Sequence, residues 1–260
     1  MLHAIEKKKT TIYRRYLGHR DGVERRVFEE DEITSTVLGP LAFFEPGPVL
    51  GFWRRLLARE APRAAVPPGD PSRMEFALWP RRRDVEPDGY LRFTWADGTR
   101  LNLLIEVKWH APLSGDDQLV KQWREFLDAS ERAATLHLFI APEVSVGLAA
   151  RNDASPATWQ AGGEDRLILV SWRQICAALQ HWQPDGPIAR WAELTHGYLR
   201  AVGIKPFRGF DFARTALPTL PIVHRRFFLG LTHGFSGFAR AAAALPQSQA
   251  GFRPFFKTGE

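Results

Sequence analysis

The chain holds one cysteine among 260 residues, Cys176. That count excludes a disulfide within the chain and any cysteine-based zinc site. Placed in the middle of an expected helix, Cys176 reads as a small buried hydrophobe. No apolar run of about eighteen residues occurs, so no membrane-spanning helix is expected. Met1 to Lys9 is charged and lacks an apolar stretch, so no secretory signal is expected and a cytoplasmic protein is the economical reading. The eight histidines are scattered without ligand spacing, and no G-x-S-x-G, P-loop or G-x-G-x-x-G occurs. Acyl-transfer and nucleotide-loop chemistries therefore have no support.

A hydrophobic content of 45% is enough for a core, in one large domain or one domain with an appendage. The net charge is +6 and the pI about 9.8, a balance that favours polyanionic partners through phosphate neutralisation. Many basic proteins bind no nucleic acid, so charge alone decides little.

Residues 1–28 carry Lys7-Lys8-Lys9, Arg14-Arg15 and Arg25-Arg26 with Tyr13 and Tyr16 between them, a strand or arm. From Glu29 to Phe44, Ile33, Val37, Leu38, Leu41 and Phe44 recur at helical spacing behind an acidic first turn, and Gly39-Pro40 bends or ends that helix. A second helix is expected across Leu50–Arg59, then a loop over Ala61–Ser72. Strands are expected over Met74–Pro80, Tyr90–Trp95 and Thr99–Trp109, the last two joined at Ala96-Asp97-Gly98-Thr99. The run through Leu101, Leu103, Leu104, Ile105 and Val107 reads as a strand buried on both faces. A helix over Asp116–Arg132 carries Leu119, Trp123, Phe126 and Leu127 on its core stripe, and Thr135–Ala141 is the next buried strand. Residues 143–165 read as polar and turn-rich. A strand over Arg166–Ser171 and helices over Trp172–His181 and Ile188–Val202 follow. The order predicts an α/β fold with a mixed sheet between helices. Residues 207–260 differ in kind, with ten of the eighteen phenylalanines, seven Lys/Arg and two acids. This segment either packs onto the preceding domain or docks a partner.

The chemistry centres on Glu86-Pro87-Asp88-Gly89 and Glu106-Val107-Lys108. Glu106 and Lys108 interrupt an apolar strand and share one face, where an interior position tolerates charge mainly for a site. An edge strand with a solvated side is the bland alternative. Asp88 before Gly89 is also good turn chemistry, and Asp84 and Glu86 are its substitutes. A two-residue turn at Asp97-Gly98 pairs Asp88 with Val107, the wrong face for Glu106. A bulge, a longer turn or a place just ahead of the strand restores the meeting. Gln118 and Gln122 lie one turn apart on the helix, away from Trp123. Arg81, Arg82 and Arg83 are either a phosphate-tracking run or a solvated one.

In Pro87-Asp88 followed by Glu106-Val107-Lys108, the chain resembles the PD-(D/E)XK nucleases, over roughly Glu29 to Ala141. The resemblance implies a restriction endonuclease-like αβββαβ core, with a nuclease-like domain over 1–206 (core about 29–181) and a C-terminal extension. It implies a nuclease that uses Mg²⁺, or Mn²⁺ in its place, and acts on DNA. Asp88, Glu106, Glu32 and the Val107 carbonyl are the implied metal ligands. Glu32 is chosen over Glu29 and Glu30 for its place beside the apolar stripe. Lys108 positions the attacking water, Gln118 orients the site, and Gln122 with Arg81, Arg82 and Arg83 meets the nucleic acid. The RecB-like branch has Gln-x-x-x-Tyr where this chain has Gln118-x-x-x-Gln122-Trp123, a departure from that pattern. By analogy the resemblance suggests anti-phage defence or restriction. The alternative is a non-catalytic, nuclease-like subunit that binds protein or nucleic acid. A second copy or a partner protein would dock through 207–260.

Overall fold

The computed structural model describes Lys9 and residues 29–109, 113, 115, 117–155, 158–161, 164–180 and 182–204. The tyrosine- and arginine-rich part of the N-terminal arm and the 207–260 extension lie outside the described residues.

Helix α1 (Glu29–Val37) ends where Gly39-Pro40 tightens the chain into a 3₁₀ turn over Gly39–Phe43. Pro40 lacks the N–H that a continuing α-helix requires. Helix α2 (Pro46–Glu60) starts on a proline in its first turn, where no donor is lost, and buries Phe52, Trp53, Leu56 and Leu57. Strands β1 (Arg73–Leu78), β2 (Gly89–Thr94) and β3 (Arg100–Val107) form an antiparallel meander. Strand β4 (Thr135–Ala141) and strand β7 (Leu167–Ser171) extend the sheet in parallel, in the order β1-β2-β3-β4-β7. The molecule is thus α/β, a five-stranded mixed sheet between helices.

The period-two alternation of the central strands builds two cores. Leu103, Ile105 and Val107 of β3 and Leu136, Leu138 and Ile140 of β4 join α1 and α2 on one face. Leu104 and Phe139 join Leu119, Trp123 and Phe126 on the other. Burying each large apolar side chain is worth about 1.5–3 kcal/mol. Helix α6 (Trp172–Gln180) and helix α7 (Pro187–Ala201) complete the first layer, with Trp172, Ile175, Cys176 and Leu199 buried.

The structure corrects two elements. The single helix expected over Asp116–Arg132 is broken: α3 (Gln118–Lys121) passes into a π-helical turn over Gln122–Phe126, Leu127 is extended, and α4 (Ala129–Arg132) starts afresh. Asp128 caps the new start with a capping box to Glu131, a local bond that competes with helix continuation. The turn-rich 143–165 contains helix α5 (Ser145–Asp153) and a small pair of strands, β5 (Gln160–Ala161) and β6 (Glu164–Asp165). Gly147 packs α5 so closely on the sheet that a Cβ there would stand 2.5 Å from Phe139 Cδ1. Among the described residues, no helix is long and apolar enough to cross a membrane.

Candidate active site

The register of the β2–β3 hairpin decides whether Asp88 meets Glu106. Gly89 pairs with Ile105 and Thr94 with Arg100. Trp95 N–H donates to Thr99 O at 2.9 Å, which closes a three-residue loop over Ala96-Asp97-Gly98. Gly98 takes φ +83°, a left-handed conformation that glycine adopts without penalty. This longer turn moves the pairing by one residue from the two-residue alternative. Asp88, one step ahead of Gly89, therefore comes opposite Glu106, and opposite residues share a face.

Asp88 is held from three sides and is 8% exposed. Its Oδ2 accepts the Val107 N–H at 2.7 Å, its Oδ1 accepts the Trp79 indole N–H at 3.2 Å, and its backbone carbonyl accepts the Trp79 N–H at 3.0 Å. Trp79 makes both bonds from φ +49°, a conformation a bulky residue adopts only under constraint. The sequence reading missed Trp79, and an aromatic beside a proline carries no signal for it.

Glu106 is 1% exposed and every oxygen is bonded. Oε1 accepts the Gln118 amide at 2.6 Å and lies 2.8 Å from Lys108 Nζ, while Oε2 accepts the Gln122 amide at 2.6 Å. Gln118 and Gln122 are therefore brought together on one carboxylate, as their one-turn spacing allows. Gln122 was expected to meet the nucleic acid backbone. Instead it is buried at 1% exposure, its amide held between Glu106 and His137.

Lys108 lies just past β3, its backbone N–H donating to Ile140 O at 2.7 Å and its carbonyl accepting the Trp172 indole N–H at 2.9 Å. Its ammonium bridges Glu106 and Glu30, each at 2.8 Å. Glu30 Oε2 also accepts the Trp109 N–H at 3.2 Å. Sequence reasoning placed Glu32 here, but the residue on Lys108 is Glu30. Helical residues step by about 100°, so Glu32 leaves α1 about 200° round from Glu30. Glu30 shares its line with the buried Ile33 and Thr34, and that position in the stripe was the available signal.

Burial raises the Asp88 carboxyl well above its ordinary range, and the nearby Glu106 charge adds to the effect. Burial likewise raises Glu106, against the opposing pull of the Lys108 ammonium. For Lys108 burial acts downward, yet the Glu106 carboxylate outweighs it and the ammonium is held more firmly than usual. Asp31, next along α1, is raised to about 6 by burial, with Lys9 opposing. Lys9 Nζ lies 2.6 Å from Glu86 and 5.8 Å from the centre of the Trp79 ring. The substitute acid Glu86 thus pairs with Lys9, and Asp84 pairs with Arg81 at 3.0 Å on the surface.

The three arginines form part of a tight turn. Arg82 and Val85 pair across Arg83 and Asp84, whose φ values of 49° and 63° define a two-residue I′-type loop. Arg82 bonds Glu131 at 3.0 Å over the rings of Phe126 and Tyr90, and Arg83 bonds Asp128 at 2.6 Å. Arg82 is thereby committed to the fold, whereas Arg81 and Arg83 keep exposed side chains.

The carboxyl groups of Asp88, Glu106 and Glu30 thus gather near the single Lys108 ammonium. Buried charge of this kind is stable only when paired or bound to a cation. Among the described residues, no three Asp, Glu, His or Cys side chains form a ready metal-holding group. Comparisons of the chain with protein-family models, curated proteins and solved structures found no match.

Proposed function

We propose that the chain is a Mg²⁺-dependent nuclease that hydrolyses phosphodiester bonds in DNA, with a restriction endonuclease-like core. The observation that carries this reading is the meeting of Asp88 with Glu106 at the end of β3, beside the Lys108 ammonium. The donor set suits Mg²⁺, a hard cation that takes one or two carboxylates and keeps several waters. Asp88 and Glu106 would hold it, with the Val107 carbonyl, while Glu30 stays on the Lys108 ammonium and the Trp109 N–H. Mn²⁺ takes the same oxygen donors. The ion supplies a more acidic water and charge stabilisation at the scissile phosphate.

The remaining steps belong to the chain. Lys108 stays protonated between two carboxylates, so it orients the attacking water and offsets developing charge rather than acting as a base. Gln118 and Gln122 keep Glu106 aimed, one on each oxygen. Arg81 and Arg83 supply exposed cations for the phosphate backbone. A role in anti-phage defence or restriction in the cytoplasm is part of this proposal and rests on family analogy. So does docking of a second copy or a partner through 207–260.

The test is incubation of wild type and Lys108→Ala with plasmid and single-stranded DNA, in Mg²⁺ and in EDTA. The reading expects Mg²⁺-dependent cleavage by wild type alone, with DNA retention by both proteins. Retention without cleavage by wild type would favour a non-catalytic nucleic-acid-binding subunit.

A further inference from the structure

Behind Glu106 a line of buried hydrogen bonds runs into the second core. Trp159 Nε1 lies 3.1 Å from His137 Nδ1, and His137 Nε2 lies 3.2 Å from Gln122 Oε1. Gln122 Nε2 then donates to Glu106 Oε2 at 2.6 Å. His137 sits in the middle of β4 with no exposure, its ring parallel to that of Trp123 at a tilt of 6°.

The direction of this line follows from donor chemistry. An indole nitrogen can only donate, so His137 Nδ1 must accept and carries no proton. Burial holds the ring neutral by lowering its pKa to about 3. The single ring proton is then on Nε2 and points at the carbonyl oxygen of the Gln122 amide. That leaves the Gln122 NH₂ for Glu106. With the opposite tautomer the amide would turn over and set its oxygen against the carboxylate, a repulsive contact in a buried place.

We propose that His137 is a positioning residue for Glu106: it fixes the orientation of the Gln122 amide, and Trp159 fixes the tautomer of His137. The histidine touches neither ion nor substrate. It acts through Gln122, as outer partners of metal-ligating carboxylates do, and loss of such a partner typically costs about 10- to 100-fold in metal affinity or activity. A histidine that merely filled the core would leave Glu106 unaffected when replaced by another side chain of similar size. The kinetic part of the proposal rests on the nuclease reading; the orientation of the amide does not.

The experiment uses the full chain and the variants Trp159→Phe, His137→Gln and His137→Leu. In wild type, ¹⁵N NMR should show His137 protonated at Nε2, and a Gln122 side-chain NH₂ signal displaced by its bond to the carboxylate. Trp159→Phe, which keeps the histidine, should populate the second tautomer and shift the Gln122 signal. Calorimetry with Mn²⁺ should show affinity about 10- to 100-fold weaker in His137→Leu. His137→Gln, which restores an amide donor near Nε2, should recover part of that loss. The turnover of DNA should fall by a similar factor while KM stays within about twofold, since the DNA contacts are untouched. An Nδ1-protonated ring in wild type would overturn the proposal, as would a Trp159→Phe protein with unchanged Gln122 signal and Mn²⁺ affinity. If His137→Leu does not fold, the Trp159→Phe outcome decides. Wild type that binds Mn²⁺ without cleaving DNA counts against the nuclease reading alone. Wild type that binds no Mn²⁺ leaves the two NMR signals to decide for or against His137.

Discussion

Glu30 and Lys108, 78 residues apart in sequence, meet at 2.8 Å, and the second oxygen of Glu30 holds the Trp109 N–H. One carboxylate from α1 thus fixes both the ammonium and the backbone where β3 ends. The contact ties the first helix to the candidate site and selects Glu30 from the four acids of Glu29-Glu30-Asp31-Glu32.

Replacing Glu30 should therefore cost more than replacing Glu32. Glu30→Gln keeps the shape but removes the charge that shares Lys108, and cleavage should fall about 10- to 100-fold. Glu32→Gln should fall by less. Parallel DNA-cleavage rates for the two variants, with circular dichroism to verify folding, check the assignment.

The hairpin loop makes a second prediction. Gly98→Ala places a Cβ at φ +83°, which costs roughly 1–2 kcal/mol. The Cβ itself meets no atom within 4 Å, so the loss is conformational rather than steric. Urea denaturation should report this loss with an unchanged slope. Cleavage should survive at reduced stability, because the folded register still sets Asp88 against Glu106.

Cation binding should depend on pH in a defined sense. Asp88 and Glu106 are raised above the usual carboxylate range, so protons compete with a cation at higher pH than for exposed acids. Mg²⁺ affinity should rise as pH increases through that raised range, with proton release on binding. Calorimetry in two buffers of different ionisation enthalpy measures the protons released. No release, and an affinity independent of pH, would mean that the cation binds elsewhere.

Gly147→Ala should destabilise the fold without touching the site. Its new methyl would lie 2.5 Å from Phe139 Cδ1 and 2.8 Å from Leu169 Cδ2, so either these side chains or α5 must shift. Overpacking of this kind costs about 1–3 kcal/mol. Thermal denaturation should show the drop, and residual activity at low temperature should be near that of wild type.

The sheet was legible because its strands obey simple patterns. Leu101 to Val107 is apolar on both faces and proves to be an interior strand, and Thr135–Ala141 carries the same signature. Gly39-Pro40 ended the first helix where proline chemistry requires it. Helix α5 escaped notice because Ser145–Asp153 has no wide apolar stripe. Its contact with the sheet runs through Gly147 and Ala150, small residues that periodicity does not weigh.

At the candidate site, local chemistry and tertiary contact divide cleanly. The residue types and the two-apart spacing of Glu106 and Lys108 are properties of the chain, since a strand places alternate side chains on one face whatever surrounds it. The i, i+4 spacing of Gln118 and Gln122 is likewise a helical fact. Three features needed the folded molecule: the three-residue loop that sets Asp88 against Glu106, the choice of Glu30 from an acidic run, and the burial of Gln122 on His137. The first depends on a loop length that Asp97-Gly98 leaves open between two and three residues, and the other two on distances between elements far apart in sequence. Local propensity carries no information about those distances, and only packing of the two cores against the sheet determines them.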